Sequence, residues 1–211
     1  MLKICTVVCG MNCDLSQAEG DLIGADRGAL TIACSHRRMV LAVGDFDSVN
    51  ETEMQLIRQW ADEVIVLPAM KDDTDMVSAL KQAAQRGYRK MVLLGALGGR
   101  QDHQMANLLT LMHGGYPLEI RDENNILSVS EEGTVEFTVS EMKYLSFFAV
   151  VPSVITLQGF VYPLDHYKLS CGDTLCVSNE IVNRKASLTV EKGKVLIMRC
   201  KDGSLKKKTA G

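Results

Sequence analysis

The chain has 211 residues, 46% hydrophobic and 23% charged, with a formal net charge of −3; that is enough apolar material for one large domain or a catalytic domain with a smaller companion, and it excludes a disordered chain. The charge balance lacks the basic excess that a nucleic-acid backbone demands, so nucleic acid is not an expected partner. No apolar run approaches the roughly 20 residues of a membrane span, and Met1-Leu2-Lys3 leads directly into a strand pattern, so a soluble, cytoplasmic protein is expected.

In chain order, Ile4 to Cys9 reads as the first strand, Asp21 to Gly24 as the second, and Met39 to Val43, Val64 to Leu67 and Met91 to Leu94 as later ones. Helical patterns over Thr52 to Ala61, Thr74 to Arg86 and His103 to Met112 lie among them. In the middle helix Val77, Leu80, Ala83 and Ala84 form an apolar stripe, with Asp72 or Asp73 available as N-cap. Alternation of this kind predicts an α/β N-terminal domain with a mostly parallel sheet. Past about residue 125 the pattern switches to short alternating segments: Val135-Phe137-Val139, Leu145 to Val151, Leu175-Val177 and Val195 to Cys200. These predict a smaller all-β sandwich. The expected domains are therefore 1–124 and 125–205, followed by a flexible tail over 206–211 whose three successive lysines belong in solvent. The seven cysteines are odd in number and contain no CxxC pair, so they are expected as reduced thiols, several of them packed in strands.

In an open parallel sheet the ligand sits beyond the carboxyl ends of the strands, so the residues that follow each strand carry the chemistry. After Met39 to Val43 comes Gly44-Asp45-Phe46-Asp47-Ser48, with two carboxylates two residues apart. After Val64 to Leu67 comes Lys71-Asp72-Asp73-Thr74-Asp75, and after Met91 to Leu94 comes Gly95-Ala96-Leu97-Gly98-Gly99-Arg100-Gln101-Asp102-His103. Carboxylates alone suit Mg²⁺ or Ca²⁺. Together with Lys71, a Gly98-Gly99 pair that lets backbone N–H groups approach an anion, and the forked Arg100, they suit Mg²⁺ complexed to a polyphosphate. Any one Asp is more often a cap or turn former than a ligand, and Asp73 and Asp102 are especially open to that reading. Three such loops at corresponding strand ends favour function. Neither GxxxxGK[ST] nor GxGxxG occurs, so the common P-loop and dinucleotide fingerprints are excluded.

The three motifs, with Asn107 one helical turn further on, resemble in order and spacing the successive motifs of the thiamine pyrophosphokinase family. Asp26-Arg27-Gly28-Ala29 resembles the family's early nucleotide loop, with Arg27 where many members carry Gly. Gly159-Phe160-Val161-Tyr162-Pro163-Leu164 and Ser178-Asn179-Glu180 resemble its thiamine-binding portion. The resemblance implies a catalytic α/β domain, a C-terminal β-sandwich, a homodimer with sites at the subunit interface, and transfer of a diphosphate from ATP to thiamine with release of AMP. By residue match it implies Mg²⁺ at Asp45, Asp47, Asp72 and Asp75, and ATP with its phosphates at Asp26, Lys71, Thr74, Gly98, Gly99, Arg100 and His103. Asp47, Asp75, Arg100 and Asp102 would serve catalysis, and Ser178, Asn179 and Glu180 would hold thiamine. An Asn-containing turn is an equal reading of 178–180, and Phe160 and Tyr162 are read as core or interface before substrate platform. Two alternatives stay open: a pyrophosphokinase for another small alcohol such as a hydroxymethylpterin, and a Mg²⁺-nucleotide-binding module without turnover.

Overall fold

The computed structural model describes residues 2–203, so the expected tail falls outside the described residues. The chain divides into two units, Met1–Asp122 and Glu123–Gly211.

In the first unit six strands, β1 (Ile4–Val8), β2 (Asp21–Ala25), β3 (Leu41–Gly44), β4 (Val64–Val66), β5 (Lys90–Leu94) and β6 (Leu118–Arg121), stand in the order β6-β5-β1-β2-β3-β4, and every pair is parallel. Strand β1 is central and Cys5, Thr6, Val7 and Val8 are all fully buried, which is why it reads as a continuous apolar run. The one polar side chain among them is satisfied: Thr6 Oγ1 donates to the Glu19 carbonyl and accepts from the Glu19 amide, both at 2.8 Å. Four α-helices, α1 (Arg27–Cys34), α2 (Glu51–Trp60), α3 (Asp75–Gln85) and α4 (Gln101–His113), and a 3-10 turn (Leu15–Gln17) complete the unit.

Helix α1 and strand β6 go beyond the elements expected from sequence. Arg27 to Cys34 has a buried face of Gly28, Ala29, Leu30, Ile32 and Ala33 and an outer face of Arg27, Thr31 and Cys34, but eight residues are too short a stretch for that period to stand out in sequence. It packs against the sheet so closely that a Cβ on Gly28 would lie 1.8 Å from the Val8 carbonyl oxygen. Helix α2 begins with a capping box in which Asn50 and Glu53 each accept the other's backbone N–H. Helix α3 is capped by Thr74, whose Oγ1 accepts from Val77 N at 3.3 Å, rather than by Asp72 or Asp73. Its buried face is Met76, Ala79, Leu80 and Ala83, with Val77 partly buried and Ala84 exposed, a stripe rotated toward Met76 from the expected one.

The second unit is antiparallel. Strands β9 (Tyr144–Gln158) and β11 (Lys185–Cys200) pair along their length, with register shifts from Val190 to Val195. Strand β7 (Asn125–Ser130) pairs with the last third of β11, β8 (Gly133–Thr138) with its first third, and β10 (Leu164–Leu169) with the end of β9. At the shift Ser153 Oγ accepts from Lys194 N at 3.1 Å and donates to the Val151 carbonyl at 2.6 Å, satisfying backbone that the interrupted ladder leaves over. Both halves of the long strands contribute to one core, in which Phe147, Phe137 and Phe160 meet at ring distances of 5.5 to 6.1 Å with Leu188 and Ile197. Leu175 to Val177, expected as a strand, is a turn segment joined to β9 through Phe147 N and the Cys176 carbonyl. All seven cysteines are free thiols, and burial pushes those of Cys5 and Cys9 up to about 12.

Candidate active site

The sheet order of the first unit fixes where a ligand can enter. From β1 the chain proceeds outward to β2, β3 and β4, then returns to the other side of β1 for β5 and β6. The carboxyl ends of β1 and β5 therefore diverge at a topological switch point. There Cys9 N donates to the Leu94 carbonyl at 2.8 Å and Met11 N to the Gly95 carbonyl at 3.1 Å, after which the two chains part. A cleft of about 560 Å³ opens at this point, lined among others by Cys9, Gly10 and Met11 after β1, Asp26 and Arg27 after β2, and Gly95, Ala96 and Gly98 after β5. Its size suits a nucleotide.

Acidic groups gather on one side of it. Carboxylate oxygens of Asp26, Asp45 and Asp47 lie within 4.8 Å of one another. The turn after β3 makes this possible: Phe46 takes a left-handed conformation with φ 55° and buries its ring in the core, which leaves the flanking carboxylates outside. Asp26 is also left-handed, at φ 48°. Each such residue costs on the order of 1–3 kcal/mol, so two of them beside one cluster mark a place where the surrounding fold imposes geometry. Asp26 Oδ2 accepts from Ser48 Oγ at 3.0 Å, and Arg27 donates to the Ser48 carbonyl at 3.1 Å, tying the β2 and β3 loops together. Asp26 Oδ1 is buried with no hydrogen-bond partner.

Lys71, from the loop before α3, and Asp75, the first residue of α3, close the group. Lys71 Nζ lies 2.6 Å from Asp45 Oδ2 and 3.1 Å from Asp75 Oδ1, the latter an ion pair whose geometry falls short of a hydrogen bond. The Lys71 contact, opposed by partial burial, holds the Asp45 carboxyl below its usual range. Burial pushes Asp75 the other way, with Asp45 and Asp26 adding to the rise against the lowering contact of Lys71. Burial also works against the Lys71 ammonium, but its contacts with Asp45 and Asp75 outweigh that and leave its pKa raised.

Across the cleft, the loop after β5 is built from local bonds. Asn107 Nδ2 donates to the Ala96 carbonyl at 2.8 Å, and Gly98 N donates to Gln104 Oε1 at 2.7 Å. Gly98 and Gly99 take φ values of 85° and 68°, which explains the glycine pair. Arg100 folds back on Asp102 through two hydrogen bonds of 3.1 and 2.6 Å, and Asp102 Oδ1 also accepts from His103 N. The Arg100 fork and that amide hold the Asp102 carboxyl down at about 2.

Of the residues expected from sequence, Asp26, Lys71, Thr74, Asp75, Gly98, Arg100 and His103 line the cleft. Asp45 reaches it through Lys71 and Asp47 through the acidic cluster. Asp72 is exposed and is not a lining residue; Asp73 is, and it pairs with Lys81. Gly99 and Asp102 stand behind Gly98 and Arg100 rather than in the lining. Asp26 was expected among nucleotide contacts, whereas its carboxylate stands with those of Asp45 and Asp47. Its place directly beyond a strand end is the signal that would have grouped it with them. In the second unit, Asn179 is 2% exposed and its amide is bonded at both ends: Oδ1 accepts from Tyr162 N and Glu180 N, and Nδ2 donates to the Tyr162 carbonyl. Ser178 is exposed at φ 57°, with its N–H bonded to Ser146 Oγ, and Glu180 pairs with Lys143 at 3.1 Å.

A parallel α/β sheet with a cleft of this size at its switch point, acidic on one side and glycine-rich with an arginine on the other, fits a nucleotide-binding class of enzyme. Comparison with known proteins is more specific. A family model described as "Thiamin pyrophosphokinase, catalytic domain" matches residues 14–120, and one described as "Thiamin pyrophosphokinase, vitamin B1 binding domain" matches 125–195. The chain is 32% identical over 186 residues to the thiamine pyrophosphokinase of Bacillus subtilis (strain 168), an alignment spanning 85% of this chain and 87% of that protein. The solved thiamin pyrophosphokinase of Geobacillus thermodenitrificans is 35% identical with a TM-score of 0.83, covering 95% of this chain and 99% of that one. That of Bacillus subtilis is 30% identical with a TM-score of 0.86, covering 95% and 100%. This chain belongs to the thiamine pyrophosphokinase family.

Proposed function

We infer that this protein transfers a diphosphate from ATP to the hydroxyethyl oxygen of thiamine, giving thiamine diphosphate and AMP. The observation that carries the reading is the convergence of Asp26, Asp45 and Asp47 within 4.8 Å at strand ends, with a buried Asp26 oxygen lacking a partner, in a chain whose two halves match both family models. An unpartnered buried carboxylate oxygen is costly unless a cation completes it. The donor set is all oxygen, which suits Mg²⁺. We assign Mg²⁺ to Asp26, Asp45 and Asp47, with Asp75 alongside. When bound there, Mg²⁺ would offset the charge of the polyphosphate and favour in-line displacement.

The residues of the chain then divide the work. Gly98 and its loop receive phosphate oxygens, and Arg100, released from Asp102, supplies a forked cation to the group in flight. The thiamine hydroxyl oxygen forms its bond to the β-phosphorus as the bond from that phosphorus to the oxygen bridging the α-phosphate breaks; AMP leaves with that oxygen, and the hydroxyl proton is released to water. The transition state for such transfer is loose, so positioning outweighs strong base catalysis. Ser178 and Glu180 are assigned to thiamine, and Asn179 to holding their loop against Tyr162. We assign the ATP and metal chemistry to residues 1–124, thiamine contact and dimerisation to 125–205, and the cytoplasm as the site of action.

Thiamine and ATP labelled at the β-phosphorus decide the reaction: label in thiamine diphosphate with equimolar AMP is expected, and ADP with thiamine monophosphate as primary products would refute it. A panel containing a hydroxymethylpterin separates the alternative alcohol. Mixing an Asp47→Asn variant with a Ser178→Ala, Glu180→Ala variant tests the subunit-interface site. Partial recovery of activity is expected; none, once subunit exchange is demonstrated, would put each site within one chain.

A further inference from the structure

Asp45 and Asp75 share one ammonium. The Lys71 side chain is only 15% exposed and its Nζ bridges the two carboxylates at 2.6 and 3.1 Å, while its contact with the Pro68 carbonyl is longer, at 3.4 Å. Asp45 Oδ2 is thus occupied by the ammonium, and Asp45 Oδ1 accepts weakly from Asp47 N at 3.4 Å. The acidic cluster is therefore not an open cup. A divalent ion that enters meets a resident cation bonded to Asp45, and two cations a few ångströms apart in a shielded site repel strongly.

We propose that Lys71 is a tethered counter-cation that competes with the divalent ion for Asp45 and Asp75, and so makes the site select metal together with nucleotide over metal alone. This rests on the reading of Asp26, Asp45 and Asp47 as the metal site. An incoming ion displaces the ammonium from Asp45. Without nucleotide, that ammonium loses its shortest contact and is left, largely buried beside the metal, with only Asp75 and the Pro68 carbonyl. With a polyphosphate in the cleft, which Lys71 also lines, phosphate oxygens receive it. The flexible stem of lysine allows the swing, and a compact ammonium suits both acceptors. Metal and nucleotide are then coupled through Lys71, and linkage makes the coupling reciprocal.

The test reads binding rather than turnover. Free Mn²⁺ is followed by electron paramagnetic resonance against the full-length protein, with and without a non-hydrolysable ATP analogue. In Lys71→Met, Mn²⁺ alone is expected to bind about tenfold tighter or more than in the wild type, and the enhancement of Mn²⁺ binding by the analogue is expected to shrink by a similar factor. Lys71→Gln, neutral but polar, repeats the result should the methionine variant fold poorly, and Lys71→Arg, which keeps the charge, should stay near the wild type. If Mn²⁺ alone binds no tighter in either neutral variant while Asp47→Asn still abolishes its binding, the metal site stands and the counter-cation is overturned. If Asp47→Asn and Asp26→Asn leave Mn²⁺ binding untouched in every background, the metal reading fails, and the proposal with it.

Discussion

The two sides of the cleft are made in opposite ways. On the β2–β3 side, carboxylates from segments far apart in sequence are pressed together, two residues are held left-handed, one oxygen is buried without a partner and a lysine is drawn in from the β4–α3 loop. On the β5–α4 side almost every polar contact runs between near neighbours, and the Arg100 and Asp102 side chains are 74% and 64% exposed. The first side stores cost against the stability of the whole unit, and the second stores almost none, because an exposed ion pair contributes little. On the proposed reading, fixed carboxylates suit a metal ion, and a weakly held arginine suits a move from its carboxylate to a phosphate. The difference separates a preorganised half of the site from an adjustable one.

The largest effect should come from the preorganised half. Asp45→Asn is expected to lower kcat by on the order of 10²-fold or more with the fold intact, since it removes the anchor of Lys71 and, on the proposed reading, a metal ligand. AMP release at saturating Mg²⁺ measures it, and a loss of less than about fivefold would break the contrast. Arg100→Ala should come next, at about 10- to 10²-fold in kcat, with Arg100→Lys recovering only part because it loses the forked geometry. The melting temperature should hardly move. A clear drop in Tm for Arg100→Ala would mean that the adjustable half is structural after all.

Stability separates the halves by sign. Burial, the leading cause, raises the folded-state pKa of Asp75. The folded protein therefore holds that proton more tightly than the unfolded chain, and the ionised carboxylate destabilises the fold at pH above the folded pKa. Asp75→Asn is expected to raise Tm at pH 7 while lowering activity, and the gain should shrink as pH falls and the wild-type carboxyl takes up its proton. Thermal melts from pH 7 to 4 would show it; a lower Tm at pH 7 would mean that the Lys71 pair outweighs burial. The smallest effect belongs to Asp102. Its folded-state pKa is lowered to about 2, so whatever it adds is present above its unfolded value and lost only as pH falls through about 2. Asp102→Asn should change Tm at pH 7 by less than the scatter between preparations, and no Asp102 titration should appear in the pH–rate profile between pH 5 and 9.

Much of this was legible in the residues themselves. The parallel sheet showed because strands buried on both faces read as continuous apolar runs, and Gly98-Gly99-Arg100 showed because left-handed backbone demands glycine wherever it occurs. Helix α1 did not show, since its eight residues are fewer than the window over which a helical period can be recognised. The cap of α3 is Thr74 rather than Asp72 or Asp73 because the helix begins at Asp75, which places Thr74 at the cap position, and Asp73 pairs with Lys81 instead.

Local chemistry therefore determined the strands, the order of the acidic and glycine-rich loops, and the motifs that place the chain in its family, because each depends on residues adjacent in sequence. Tertiary structure alone decided that Asp26 stands with Asp45 and Asp47, that Lys71 bridges Asp45 and Asp75, that Asp72 faces solvent, and that Asn179 spends its amide on the Tyr162 loop. The physical reason is shared: charge and hydrogen-bond partners are chosen by distance in space, and burial decides which of the available partners a group keeps.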